Sequence, residues 1–359
     1  MTKKRSGLES RKEARLSSTY HSPQVDVDIR LNTNESPYSA PLGFIEDVKK
    51  AIEDASLNRY PDRNAVDLRQ AIADYHSCNV NNVFCANGSN EVIQTLLFSF
   101  VSSGDEVVVF EPTYALHSHI SKIAGASLIV GERNANFQVD EDEIVKILDR
   151  SEPKIIFFCS PNNPTGNLES YEVVKRTLEM FSGIVVVDEA YVQFAEFNFV
   201  ELLKEYDNLV IIRTFSKTWG LAGLRLGYSL SSSSIAAELF NTVLPYHLNS
   251  LTQRIGIAAL NYEQEMLERV ALMKEDRGNL INGLENMGVE VFPSESNFIL
   301  FRPNMSPKIV WESLVKKSIL IRDCSSWPRL EGCLRVSVGT RLENEVFLTS
   351  LAEIIDESK

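Results

Sequence analysis

The residue with the most chemistry within reach is Lys217, in the stretch "RTFSKTWGLAGLR" that runs from Arg213 to Arg225. A lysine at a strand end is ordinarily a solvated charge. Here the apolar run Val210 to Ile212 delivers it behind Thr214 and Ser216, with "WGLAG" close after it. An amine desolvated in this way gives up its proton more readily and becomes a nucleophile toward carbonyls. Arg225 adds a guanidinium fork, and Thr214 and Ser216 add hydroxyls, a set suited to phosphate. Asp188 ends the run "IVVV". A carboxylate there must be paired, because isolation costs several kcal/mol or forces protonation. It is either a cap or salt-bridge partner in the core, or the partner of a protonated ring nitrogen. "NGSN", Asn87 to Asn90, joins a strand to a helix, so Gly88, Ser89 and Asn90 present backbone donors to an anion while also serving as a helix cap.

These side chains need a scaffold that brings strand ends together. From about residue 80 to 230, apolar runs alternate with helix-period segments, the pattern of a mostly parallel sheet with crossover helices. Seven strands are expected: "VFCA", "EVVVF", "SLIVG", "KIIFFC", "IVVVDEA", "NLVIIRTF" and "RLGYSL". Most read as unbroken apolar runs, as strands covered on both faces do. Between them, "SNEVIQTLLFSFV" places Val92, Ile93, Leu96, Leu97, Phe100 and Val101 on one helical face. "NGSN", "EPTY", "SPNNPTG", "DEAY" and "SK" all fall just past strand ends, where open parallel sheets bind ligands. An amine for an aldehyde, a carboxylate for a pyridinium and a cradle for a phosphate together specify pyridoxal phosphate.

Beyond residue 250 a long helical stretch leads to a smaller unit with the strands "NFILF", "SILIR" and "CLRVSV" and helices near 306–317 and 342–356. The expected division is an N-terminal arm with a small-domain segment (1–42), a large cofactor-binding domain (43–262) and a small C-terminal domain (263–359). The segment before residue 43 reads as an extended arm, and the serines 231–234 as a solvated loop entering a helix.

With 36 Lys plus Arg against 49 Asp plus Glu, the net charge of −13 argues against nonspecific binding to nucleic acid or an anionic membrane. Five cysteines without C-x-x-C spacing suggest neither a disulfide framework nor a metal site. The expected setting is a reducing cytoplasm, with no membrane span and no targeting segment.

The motifs "LNTNESPY", "RYPD", "GSNE", "EPTY", "CSPNNPTG", "DEAYVQF", "RTFSKTWGLAGLRLGY" and "RDCSSWPRLEGCLRVSVGT" occur in an order and at a spacing that span nearly the whole chain. In them the sequence resembles the fold-type I pyridoxal-phosphate aminotransferases, most closely the histidinol-phosphate branch. The resemblance implies an α/β fold-type I transferase: a large domain whose mostly parallel seven-stranded sheet forms an α/β/α sandwich, with a smaller α/β domain beside it. It implies that Lys217 holds the cofactor aldehyde as an imine and then moves the proton between substrate and cofactor carbons. Asp188 keeps the ring nitrogen protonated, Asn163 and Tyr191 donate to the ring hydroxylate, and Tyr114 stacks on the ring. Gly88, Ser89, Asn90, Thr214, Ser216 and Arg225 make the phosphate cup, and Tyr60 of a second copy reaches that phosphate, which requires a homodimer with shared sites.

Arg335, inside "CLRVSV", needs an anion. By resemblance it binds glutamate's carboxylate and the phosphate of histidinol phosphate in turn, with Arg322 beside it, while Asn34 and Tyr20 close over the substrate. The implied reaction is ping-pong transfer of an amino group from L-histidinol phosphate to 2-oxoglutarate, in histidine biosynthesis. Two departures are visible: Asn90 where relatives often carry an acidic residue, and Gln193 where many have glutamate. An aromatic amino-acid aminotransferase and a phosphothreonine decarboxylase are the rival enzymes, since they differ only in substrate-side residues. A pyridoxal-phosphate-sensing regulator is disfavoured, because the forty or so residues before the fold contain no helix-turn-helix pattern.

Overall fold

A computed structural model of the chain describes residues 23–357. Its centre is a seven-stranded sheet built from β2 (Val83–Ala86), β3 (Glu106–Glu111), β4 (Ser127–Glu132), β5 (Ile155–Cys159), β6 (Ile184–Asp188), β7 (Leu209–Thr214) and β8 (Gly227–Ser231), with β1 (Ile29–Leu31) preceding them in the chain. The order across the sheet is β2-β8-β7-β6-β5-β3-β4. All seven expected strands form. The ladder from β4 to β7 is parallel, whereas β8 runs antiparallel to both β7 and β2. The reversal follows from the connection before β8, which contains a 3-10 turn, Ala222–Leu224, in place of a crossover helix.

The unbroken apolar runs are explained by two-sided burial. In β6, Val185 and Val187 pack into the core layer on one face, and Ile184 and Val186 into the layer on the other. β4 differs: it is an edge strand and half-exposed, so "SLIVG" is apolar without being covered. The helix Ser89–Phe100 buries Val92, Ile93, Leu96 and Leu97 against the second layer, as its spacing predicts.

A second, five-stranded sheet has the order β1-β11-β12-β10-β9, formed with β9 (Glu290–Val291), β10 (Phe298–Arg302), β11 (Ile319–Asp323) and β12 (Leu334–Ser337). Its core gathers Leu31, Ile299, Phe301, Ile319, Ile321, Leu334 and Val336. Within the stretch before residue 43, Ile29–Leu31 pairs in parallel with Ile319–Ile321 as an edge strand of this sheet. The short β9 carries too few residues to give a period, and the sequence reading passed over it. In the large sheet, the four serines are not a loop: Ser231 is buried at the end of β8, and Ser233 opens the helix Ser233–Thr242.

The helix Ser250–Leu260 and the 24-residue helix Glu263–Asn286 connect the two units. Among the described residues, no helix is long and apolar enough to cross a membrane.

Candidate active site

The carboxyl ends of the parallel strands open into a cavity of about 390 Å³ that the small sheet closes from the other side. From the large sheet it is lined by Ser89, Asn90, Tyr114, Asn163, Asp188, Tyr191, Thr214, Ser216, Lys217 and Arg225. Arg322 and Arg335 line it from the small sheet, and Asn34 from the segment after β1. The structure thus brings together thirteen of the sixteen residues singled out in the sequence.

Lys217 follows β7 directly. Its Nζ donates to the carbonyl of Thr33 at 2.8 Å and lies 5.7 Å from the Tyr191 ring centroid. Burial, seconded by the positive charge of Arg335, lowers its pKa to about 8. Asp188, 2% exposed, accepts from Nε2 of His117 at 3.0 Å and from the backbone N–H of Ala190 at 3.1 Å. The buried carboxylate therefore has the partners its position demanded. His117 is itself wedged by rings, stacked on Phe157 at 4.8 Å and edge-on to Tyr114 at 5.4 Å. It was missed in the sequence. Its signal was its place three residues after Tyr114, one turn into the helix Ala115–Ala124, but nothing local pairs it with Asp188.

Tyr191 collects the amides around it: Asn34 Nδ2 donates to its hydroxyl at 3.0 Å and Asn163 Nδ2 at 3.4 Å. Burial pushes the Tyr191 hydroxyl pKa well up. Tyr114 donates to Asn90 Oδ1 at 3.0 Å, which gives the uncharged residue at 90 an acceptor's task. Thr214 donates to Ser216 at 3.0 Å.

Gly88 does not itself line the cavity, but glycine is required there. Its φ is +80°, and a Cβ would come within 2.5 Å of Arg225 Nη2. The guanidinium can lie against this turn only because no side chain intervenes. Gly227 is needed on the other side, since its Cβ would meet the backbone N of Ser89 at 2.2 Å. The first N–H groups of the helix Ser89–Phe100, the hydroxyls of Thr214 and Ser216, and Arg225 therefore share one corner, with a helix's positive end behind them.

The opposite wall is cationic. Arg322 and Arg335 are register partners on β11 and β12, only 8% and 4% exposed. Arg335 donates to Asn163 Oδ1 at 2.5 Å and to the carbonyl of Asn32 at 2.8 Å, while its Nε has no hydrogen-bond partner among the described residues. Arg322 lies over the ring of Trp327 at 5.5 Å. Like charges directly opposite on a sheet repel, so this arrangement favours an anion between or beside them. Asn34 sits between the walls in a left-handed conformation, φ 56°, its Oδ1 accepting from Ser337 at 3.1 Å. Thr33, Glu35, Cys159 and Trp327 also line the cavity and were not singled out from the sequence.

Two other expected residues stand apart. Tyr60 is outside this cavity, 81% exposed and stacked on Tyr246 at 4.6 Å. Tyr20 lies outside the described residues.

Residues 26–351 match the family model of class I and II aminotransferases. The chain is 37% identical to histidinol-phosphate aminotransferase of Corynebacterium diphtheriae, over 98% of this chain and 97% of that one. It is 38% identical to that of Thermobifida fusca, over 96% of this chain and 95% of that one. Among solved structures, histidinol-phosphate aminotransferase from Clostridium acetobutylicum superposes with a TM-score of 0.84 at 26% identity, covering 92% of this chain and 99% of that one. The Sinorhizobium meliloti enzyme in complex with pyridoxal-5'-phosphate, at 22% identity, shares the fold with a TM-score of 0.86, covering 93% of this chain and 92% of that one. With the family model matched over residues 26–351 and relatives 37–38% identical over almost its full length, the chain belongs to the class I and II aminotransferase family.

Proposed function

We propose that the protein transfers an amino group between L-histidinol phosphate and 2-oxoglutarate, giving imidazole acetol phosphate and L-glutamate, as a step of histidine biosynthesis. One observation carries the substrate reading: Arg322 and Arg335, buried in register, face the cavity that holds Lys217. A pair of guanidinium forks suits a phosphate monoester far better than an apolar aromatic side chain. The curated relatives named for the same substrate support it.

The residues present fit pyridoxal phosphate. The corner of Ser89, Asn90, Thr214, Ser216 and Arg225, made accessible by Gly88, would hold its phosphate, and Tyr114 would cover one face of the ring. Asp188 would hold a proton on the ring nitrogen, its carboxylate oriented by His117 and the Ala190 N–H. Asn163 and Tyr191 would donate to the ring oxygen. When bound, the cofactor supplies the electron sink that lets a substrate carbon give up its proton. Lys217 Nζ would attach the aldehyde, for which a pKa of about 8 leaves an appreciable share of free amine near neutrality. The same Nζ would then serve as the base that moves a proton at the substrate carbon. The small-sheet wall and the Asn34 segment orient the substrate and keep water out.

Tyr60 gives the quaternary reading. Exposed on its own subunit, it would complete the phosphate corner of a second copy, making the active unit a homodimer; Tyr20 would close over the substrate. A reducing cytoplasm suits the five free thiols.

The test is spectroscopic. Loaded with pyridoxal phosphate and given L-histidinol phosphate without a keto acid, the protein loses its visible band and regains it with 2-oxoglutarate. If L-phenylalanine bleaches it and histidinol phosphate does not, the substrate is aromatic. If L-threonine O-3-phosphate releases carbon dioxide, the protein is a decarboxylase.

A further inference from the structure

The segment from Asn32 to Glu35 contacts both Lys217 and Arg335 in the cavity. The carbonyl of Asn32 accepts from Arg335 and that of Thr33 from Lys217 Nζ. Asn34, turned left-handed, bridges Tyr191 and Ser337. The segment's one ionisable side chain is Glu35. It is exposed at the cavity mouth and steadied by Thr33, whose Oγ1 donates to Oε2 at 2.8 Å. It also lines a neighbouring cavity of about 440 Å³, together with Asn32, Thr33 and Arg30.

The cavity otherwise carries four basic side chains, Lys217, Arg225, Arg322 and Arg335, against two carboxylates, Asp188 and Glu35. Asp188 has one oxygen on His117 and the other on a backbone N–H, deep beneath the cavity. Glu35 is therefore the carboxylate placed to meet the substrate. In a pocket assembled for anions it is an electrostatic anomaly, unless the substrate brings a donor or a positive group to the mouth. With its amine at Lys217 and its phosphate at the arginines, L-histidinol phosphate has one group left, the imidazole. That ring carries an N–H donor when neutral and a positive charge when protonated, and a carboxylate accepts from both forms.

We infer that Glu35 is the specificity residue for the imidazole ring, accepting a hydrogen bond from its N–H at the mouth of the cavity. The inference rests on the substrate reading above. A site that hydrogen-bonds a substrate N–H discriminates against analogues lacking it, because its own polar group is otherwise left unpaired. Glutamate and phenylalanine have no such donor in their side chains.

The experiment compares Glu35→Ala with the wild type, both loaded with pyridoxal phosphate, by single-turnover bleaching of the visible band. With L-histidinol phosphate, kcat/KM falls roughly 10- to 100-fold, the worth of one hydrogen bond to a charged acceptor. The loss exceeds that for L-glutamate by at least about 10-fold, and Glu35→Gln, which keeps an acceptor, recovers part of it. Equal losses with both substrates would overturn the inference, since Glu35 would then act through the amine or Lys217. An unchanged rate with histidinol phosphate would overturn it too. Wild-type protein that bleaches with histidinol phosphate while the variant bleaches equally well defeats this inference alone; wild-type protein that ignores histidinol phosphate defeats the substrate reading itself.

Discussion

The two walls of the cavity are built on opposite plans. On the large-sheet wall the polar groups are already partnered with one another: Asp188 with His117, Tyr114 with Asn90, Thr214 with Ser216. On the small-sheet wall Arg322 and Arg335 are held side by side with their like charges opposed, and Arg335 Nε lacks a partner among the described residues. A pre-satisfied wall fixes the geometry of an occupant that stays, at little cost in reorganisation. A wall of opposed cations keeps free energy for a charged ligand that comes and goes. The contrast teaches that cofactor and substrate affinity are separable here, and that mutations should sort by wall.

The largest effect belongs to Lys217, the residue between the walls. Lys217→Ala removes both the attachment point and the group that moves the proton, so turnover falls on the order of 10⁴-fold or more. The visible band disappears, while circular dichroism stays that of the folded protein. Appreciable residual turnover would remove Lys217 from the chemistry. Next is Arg335→Ala. It leaves Asn163 Oδ1 and the Asn32 carbonyl without their donor and removes half of the cation pair. Truncating one member of a buried charged contact costs about 2–5 kcal/mol, so kcat/KM falls on the order of 100-fold. The visible band of the loaded protein persists, because Lys217 and the phosphate corner are untouched and the large-sheet wall loses only the contact to Asn163. Loss of both together would show that the walls are one unit.

The walls do communicate through charge, and pH exposes it. Below about pH 8 most of the Lys217 Nζ is protonated, and the protonated share has no lone pair for an aldehyde. The rate at which apoprotein takes up pyridoxal phosphate therefore rises with pH and levels off above about 8. Arg335 is the second cause of the lowered pKa, after burial, so Arg335→Ala moves the midpoint to higher pH. Glu35 opposes them, and Glu35→Ala moves it to lower pH. A midpoint indifferent to both substitutions would remove these two charges as causes and leave burial with Arg225 and Asp188.

What the sequence made legible follows the same division. The large sheet was readable strand by strand because two-sided burial writes itself as unbroken apolar runs, and the side chains just past those runs converge wherever the strands are parallel. Lys217, Asp188 and Asn90 were found by that logic alone. Strand direction was less legible. The reversal of β8 depends on a connection that no periodicity reports. The small-sheet wall depends on register: Arg322 and Arg335 are opposite only because the chain between them, with Trp327 at its middle, closes as it does. Asn34 reaches Tyr191 through a left-handed backbone, which asparagine tolerates better than most residues but which no neighbouring residue signals. His117 meets Asp188 across 71 residues of chain, a contact made by the sheet order. Tyr60 entered only through the family resemblance; in a single subunit it lies exposed and outside the cavity, because its proposed role needs a second copy.

The smallest effect probes how far the large-sheet wall is pre-satisfied. Asn90 Oδ1 is the acceptor that holds the Tyr114 hydroxyl, and so the orientation of the ring proposed to cover the cofactor. Asn90→Ala frees that hydroxyl without touching the backbone donors at the helix start, which any residue at this position supplies. A neutral hydrogen bond contributes about 0.5–1.5 kcal/mol net, so affinity for pyridoxal phosphate should weaken roughly three- to tenfold. Fluorescence titration of the apoprotein measures it directly. KM for histidinol phosphate should move much less, because Arg322, Arg335 and Glu35 stand on the other side of the cavity. An equal rise in that KM would mean that Tyr114 serves both occupants, and that the boundary between the two walls runs on the substrate side of its ring.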